Sequence, residues 1–275
     1  VKMGSLFSGY GGLDLAVSHF FGAETLWYSE IEPAACQILA ANYPGVPNLG
    51  DVTEVDWANV PPVDVLVGGY PCQPFSQAGK REGKNDERHL WPFVGSAIST
   101  LRPGMVVLEN VQGHISLGLA NVVGDLAGMG YDARWGVVRA SDAGAPHERS
   151  RVFIVAYPFS DSDGPRWMQH GGTIPTEPKH YPAKYVSDVA TDWGKYANAV
   201  EGWESITRSA PPPTIPGVKG KPRLSPAFVE WMMGLPDGWV SGHGLSPAKA
   251  LQALGNGVCP QQAFLALQLL IGGKL

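Results

Sequence analysis

Val63-Asp64-Val65-Leu66-Val67-Gly68-Gly69-Tyr70-Pro71-Cys72-Gln73-Pro74-Phe75-Ser76 begins as a short apolar run and ends in a cysteine braced by proline. A run of this length, rich in valine and followed by Gly-Gly, reads as a buried strand and its exit turn. A thiol held at a strand exit is placed to attack an electron-poor carbon, and its thiolate is the nucleophile. A turn that happens to hold a half-buried cysteine fits the same residues, so Pro71-Cys72 alone does not decide between them.

On either side of this stretch, strand and helix patterns alternate. Met3–Ser8 reads as a strand, Leu13–Phe21 as a helix, Thr25–Ser29 as a strand and Pro33–Asn42 as a helix with proline in its first turn. Beyond the cysteine, Leu90–Leu101 reads as helix, Met105–Leu108 as strand, Leu117–Met129 as helix, and Arg134–Val138 and Val152–Ala156 as strands. Such alternation predicts an α/β fold with a largely parallel, Rossmann-like sheet. Ligands of such sheets sit at the carboxyl ends of the strands. The Gly9 turn, Glu30, Cys72 and Glu109 all fall at predicted strand exits.

The pattern changes at Tyr157. Ten of the 24 prolines lie in 158–222, including Pro211-Pro212-Pro213, and periodicity is lost. This predicts an inserted, loop-rich module with a small core of its own, in which Trp167, Trp193 and Trp203 would take part. Ser225-Pro226 then caps a helix over Ala227–Met233, and Pro260–Ile271 is a last helix. The expected organisation is therefore 1–158, 159–224 and 225–275.

Composition narrows the class. With 275 residues, 44% hydrophobic and 16% charged, the chain is globular rather than disordered. No apolar run reaches the roughly 18–20 residues of a membrane span, and Gly9, Gly11, Gly12 and Asp14 interrupt any leader-like apolar stretch. Cys36, Cys72 and Cys259 are too few and too dispersed for a disulfide framework or a zinc site, which points to a reducing compartment and no metal. The net charge of −5 offers no global attraction to nucleic acid. A local basic face can still suffice.

Phe7-Ser8-Gly9-Tyr10-Gly11-Gly12 joins the first strand to the first helix, and its glycines let backbone approach a nucleotide-like ligand. A dinucleotide fingerprint would need glycine at position 14, where Asp14 stands. Glu30 closes the second strand, where an acid can take ribose hydroxyls. Asp51 follows a turn and could accept from an adenine amino group. Glu109, at the end of an apolar strand, is expected to be desolvated and hence easily protonated. Arg149 and Arg151 alternate at a strand start, which would point them to one side.

In this order, Phe7-x-Gly9-x-Gly11-Gly12, Glu30, Asp51, Pro71-Cys72-Gln73, Glu109-Asn110-Val111, Arg149-x-Arg151 and Gly255-Asn256-Gly257-Val258 make the chain resemble the DNA cytosine-5 methyltransferases of bacterial or phage modification systems. The resemblance covers nearly all of the chain apart from 159–222. His147 stands where the family usually has glutamine, and Gly257 where it has serine.

The resemblance implies catalysis by Cys72, Glu109, Arg149 and Arg151. It implies S-adenosylmethionine held by Phe7, Gly9, Gly11, Gly12, Leu13, Glu30, Ile31, Asp51, Val52, Leu90, Asn256 and Val258. It implies double-stranded DNA as partner, with 159–224 as target-recognition domain. Phe75–His89 would be a moving loop, with Gln73, Ser76, Lys80, Arg81, Lys84 and Arg88 toward DNA. A monomer in the bacterial or phage-infected cytoplasm is expected.

Overall fold

The computed structural model describes residues 1–71, 90–161, 191–217 and 220–272. Six strands form one sheet: β1 (Lys2–Leu6), β2 (Glu24–Ser29), β3 (Val65–Gly68), β4 (Met105–Val111), β5 (Tyr131–Val138) and β6 (Arg151–Pro158). Their spatial order is β2-β1-β3-β4-β6-β5. The first four run parallel, and β6 lies antiparallel to both β4 and β5. The chain leaves β1 toward β2 on one side and later returns to β3 on the other. That reversal opens a crevice at the carboxyl ends of β1 and β3.

Alternation along the strands divides the core into two layers. Leu66, Val106, Leu108 and Ile154 face α3 (Trp91–Leu101) and α5 (Leu119–Gly128). Val65, Val67, Val107 and Phe153 face α1 (Gly12–Phe21) and the C-terminal helix Pro260–Ile271. Burial on both faces explains why β3 reads as an uninterrupted apolar run. Gly22 ends α1 in the left-handed region at φ 62°, with its N–H on the Ser18 carbonyl. The predicted helix over 117–129 is broken at Gly118, which separates α4 (His114–Leu117) from α5.

Two expectations are corrected. β4 runs on through Val111 because β6 continues to pair with it, Glu109 opposite Phe153 and Val111 opposite Arg151. Glu109 therefore lies within a strand, one residue past the point where β3 ends at Gly68 opposite Leu108. Arg149 precedes β6 with φ 33°, so it does not share the strand alternation of Arg151.

Of 159–224, the structure describes 159–161, 191–217 and 220–224. The described part holds α6 (Ala197–Ile206) and a hairpin of β7 (Thr214–Pro216) and β8 (Pro222–Leu224). The buried side chains of this described part pack with the rest of the chain. Val200 and Trp203 are buried with Ile38 of α2 (Pro33–Asn42), Trp231 of α7 (Pro226–Met232) and Leu254 of α8 (Pro247–Asn256). Trp203 Nε1 donates to the Trp231 carbonyl at 2.9 Å, and Trp231 Nε1 donates to the Arg208 carbonyl at 2.7 Å. Trp167 lies outside the described residues.

Helix α8 is absent from the sequence reading, although Ser246-Pro247 repeats the signal that places α7 at Ser225-Pro226. Ser225 Oγ accepts from Phe228 N, and Ser246 Oγ accepts from Lys249 N. The last helix, α9, spans Pro260–Ile271 as predicted. No helix among the described residues is long and apolar enough to cross a membrane.

Candidate active site

The turn from β1 into α1 forms the floor of the site. Phe7 and Gly9 have φ 51° and 56°, and Gly11 has φ 83°, so the chain here runs through left-handed conformations. Gly9 N donates to Glu30 Oε2 at 2.8 Å, and Glu30 Oε1 accepts from Ile31 N at 2.9 Å and Glu32 N at 2.8 Å. Glu30 thus braces the turn and keeps lone pairs for other donors. A side chain at Gly12 would meet the Val258 carbonyl at 2.1 Å, so the C-terminal segment lies directly on this turn. Tyr10, fully buried, donates to the Val258 carbonyl at 2.7 Å and fastens that contact. Its ring also accounts for Gly257, where a Cβ would come within 1.9 Å of Tyr10.

Two cavities open at the carboxyl ends of β1 and β3. The larger, about 260 Å³, is lined by Phe7, Glu30, Ile31, Pro71, Leu90 and Asn256, among others. Ile31 is 65% exposed and offers an apolar wall at the rim. The smaller, about 30 Å³, has Ser5, Gly12, Leu13, Asp14, Glu109 and Val258 in its lining. Phe7, Gly9, Gly69 and Asn256 border both.

Ten of the twelve residues expected to hold a cofactor thus line a cavity or form the turn beneath it. The structure does not bring Asp51 and Val52 there. Asp51 Oδ1 accepts from Thr53 N and Oγ1, and Val52 is buried in the core on the α3 side. In the sequence Asp14 stands out only as a break in the apolar stretch and a departure from the dinucleotide pattern. Its place in the cavity lining follows from its position in the first turn of α1.

Glu109 enters the smaller cavity beside Gly69, where an added Cβ would lie 3.4 Å from Glu109 Oε2. Arg151 Nε donates to Glu109 Oε1 at 2.9 Å, and both side chains are mostly buried, at 17% and 10% exposure. Burial pushes the Glu109 carboxyl up to about 7, against the opposing pull of Arg151 and Arg149. Near neutral pH it therefore exists both protonated and ionised. Arg149 turns elsewhere: its Nη2 donates to the carbonyls of Gly255 and Gly257, tying the turn before β6 to the end of α8. His147 Nε2 donates to the Met232 carbonyl at 2.9 Å, and burial lowers its pKa, so the neutral ring anchors this turn to α7.

Pro71, the last described residue before the cysteine, lines the larger cavity. Tyr70 is held at both ends. Its carbonyl accepts from Asn110 Nδ2 at 3.0 Å, and its hydroxyl lies 2.7 Å from His114 Nε2. Both Tyr70 and His114 are buried, and the sequence assigns neither a role: the stretch around Tyr70 is read for its cysteine, and His114 stands in no recognisable motif. Cys72 and the DNA-facing candidates Gln73, Ser76, Lys80, Arg81, Lys84 and Arg88 lie outside the described residues.

The cavities suit S-adenosylmethionine. The larger offers Glu30 for ribose hydroxyls and the apolar walls of Ile31, Pro71 and Leu90 for a purine. The smaller places backbone glycines and carboxylates where the amino-acid end would lie.

Residues 1–199 match the family model for C-5 cytosine-specific DNA methylase. The chain is 33% identical over 172 residues to the Type II methyltransferase M.NlaIV of Neisseria lactamica, covering 56% of this chain and 41% of that protein. It is 35% identical over 168 residues to M.NlaX of the same species, covering 59% and 54%. The chain therefore spans about half the length of the curated relatives it matches. Among solved structures, the Dnmt2 methyltransferase of S. pombe superposes over 100% of both chains with a TM-score of 0.67 at 17% identity. The methyltransferase EhMeth of Entamoeba histolytica covers 99% of this chain and 98% of its own, with a TM-score of 0.64 at 14% identity. These two share the fold. The ordered motifs, the strand-exit geometry and the family match agree, and the chain belongs to the C-5 cytosine-specific DNA methylase family.

Proposed function

We propose that the chain transfers a methyl group from S-adenosylmethionine to C5 of a cytosine in duplex DNA, through transient attachment of Cys72 to C6. The observation that carries this reading is Glu109, a buried carboxyl that holds a proton near neutral pH, level with the exit of the strand that leads to Cys72. Aromatic cytosine is a poor nucleophile at C5. Addition of the Cys72 thiolate at C6 converts C5 into an enamine-like carbon. Glu109 holds a proton at N3 and relieves the charge that builds up as the thiolate adds. Arg151 fixes the orientation of Glu109 and has further donors for the base carbonyl. The cofactor, when bound, supplies a sulfonium methyl whose leaving group is a neutral thioether. A general base then takes the C5 proton, and the electron pair left behind re-forms the double bond, expels the Cys72 thiolate and restores the ring.

None of these contacts can form inside a duplex, so the cytosine must be everted, at an expense of a few kcal/mol. We assign to Phe75–His89 the closing loop and to 159–224 the reading of sequence, from their composition and the family resemblance. A duplex carrying 5-fluorocytosine tests the reaction, because fluorine in place of the C5 proton blocks the final elimination. With S-adenosylmethionine present, the wild-type chain should become cross-linked to such DNA and the Cys72→Ser variant should not. A folded Cys72→Ser chain that methylates at the wild-type rate would overturn the assignment.

A further inference from the structure

The smaller cavity holds a carboxylate that the proposed reaction does not use. Asp14 is 1% exposed, and among the described residues neither of its oxygens has a hydrogen-bond partner. The neighbouring carboxylates are engaged: Glu109 pairs with Arg151, and Glu30 accepts from three backbone amides. Ser8 Oγ donates to Ser5 Oγ at 2.7 Å, and both hydroxyls line the same cavity. Burial pushes the Asp14 carboxyl up to about 6; the Ser5 hydroxyl and the backbone amide of Asp14 stand near enough to oppose that rise without making a hydrogen bond to either oxygen. At neutral pH it is mainly an anion without a cation. Burying such a group is costly unless a donor or a positive charge reaches it.

The cavity admits one. Its volume of about 30 Å³ exceeds the roughly 10–15 Å³ a water needs, and it shares Phe7, Gly9, Gly69 and Asn256 with the larger cavity. A ligand whose nucleoside lies against Glu30, Ile31 and Leu90 has a path past these shared residues into the cavity that Asp14 lines. We propose that Asp14 receives the α-ammonium group of the cofactor, directly or through one water, and so selects ligands that carry this charge. The proposal rests on the methyltransferase reading and adds a recognition residue to it.

Binding of two ligands to the full chain by calorimetry tests it: S-adenosylhomocysteine and its deamino analogue, in which hydrogen replaces the α-amino group. The wild-type chain should bind the amine-bearing ligand roughly 10- to 100-fold more tightly. In Asp14→Asn this preference should collapse to within about threefold, while affinity for the deamino analogue stays near the wild-type value. Asp14→Ser should behave in the same way and guards against a folding defect in the first variant. Equal wild-type affinity for both ligands, or a preference that survives in both variants, overturns the proposal and leaves the methyltransferase reading intact. Failure of the wild-type chain to bind either ligand overturns both.

Discussion

Replacing Glu109 by glutamine should separate the chemistry of this residue from its effect on folding. In the native state the carboxyl holds its proton to about 7, against an ordinary value of 4.5. A rise of that size corresponds to roughly 3 kcal/mol of discrimination against the ionised form. The native chain then binds more protons than the unfolded chain between those two values, so stability falls as pH rises through the interval. Glutamine carries no titrating proton. The variant should match the wild type near pH 4.5, exceed it by about 2 kcal/mol at pH 6 and by about 3 kcal/mol at pH 8. Since 1 kcal/mol shifts the melting temperature of a chain this size by roughly 2–4 °C, thermal melts across this range resolve the difference. Asp14 titrates in both proteins and cancels from the comparison. Turnover should move the other way, falling roughly 10²- to 10⁴-fold, because the amide can donate a hydrogen bond but cannot deliver a proton. Wild-type turnover should itself decline above about pH 7 as Glu109 ionises. A stability gap that stays constant with pH, or a Glu109→Gln chain within tenfold of wild-type turnover, would refute the reasoning.

Two further substitutions probe the frame around the site. Gly12→Ala would drive its methyl into the Val258 carbonyl at 2.1 Å and the Tyr10 ring at 2.6 Å, and backbone cannot yield as a flexible side chain can. It should cost about 1–3 kcal/mol of stability and weaken S-adenosylhomocysteine binding, read by chemical denaturation and calorimetry. Tyr70→Phe removes the hydrogen bond to His114 and should cost about 1–2 kcal/mol. It should lower the yield of the 5-fluorocytosine cross-link while leaving cofactor affinity unchanged, because Tyr70 holds the chain that leads to Pro71 and Cys72.

The sheet was legible in the sequence because local and global signals agree there. Val65–Val67 is apolar throughout, since both faces of β3 are covered, and the Gly9–Gly12 turn falls between an apolar strand pattern and a helical one. The end of β4 was not legible. Glu109-Asn110-Val111 carries no strand signal of its own and stays extended because β6, some forty residues later, pairs with it. Arg149 misled for a related reason. Spacing alone put it beside Arg151, but its left-handed backbone and its bonds to Gly255 and Gly257 depend on where the C-terminal segment returns. Helix α6 was missed because its apolar side is narrow. Val200 and Trp203 suffice only because Trp231 and Leu254 supply the opposing surface.

The buried carboxylates divide along the same line. Glu230 is fully buried, yet it accepts from Gly238, Val240 and Ser241 amides at 2.7–2.8 Å and lies 3.4 Å from Arg208 Nη2. Its charge is matched within the chain, and it joins α7 to the segment that follows it. Burial raises the carboxyl at all three positions, but Glu230 meets three backbone amides and Glu109 pairs with Arg151, while among the described residues neither oxygen of Asp14 has a hydrogen-bond partner. A structural acid gains nothing from being left short of donors. An acid that must hold a proton for a base, or meet a cation that arrives with the ligand, requires that shortage. The deficit at Asp14 therefore marks the site more specifically than burial or charge alone, while the loss of stability with rising pH rests in part on Glu109, the acid the reaction needs.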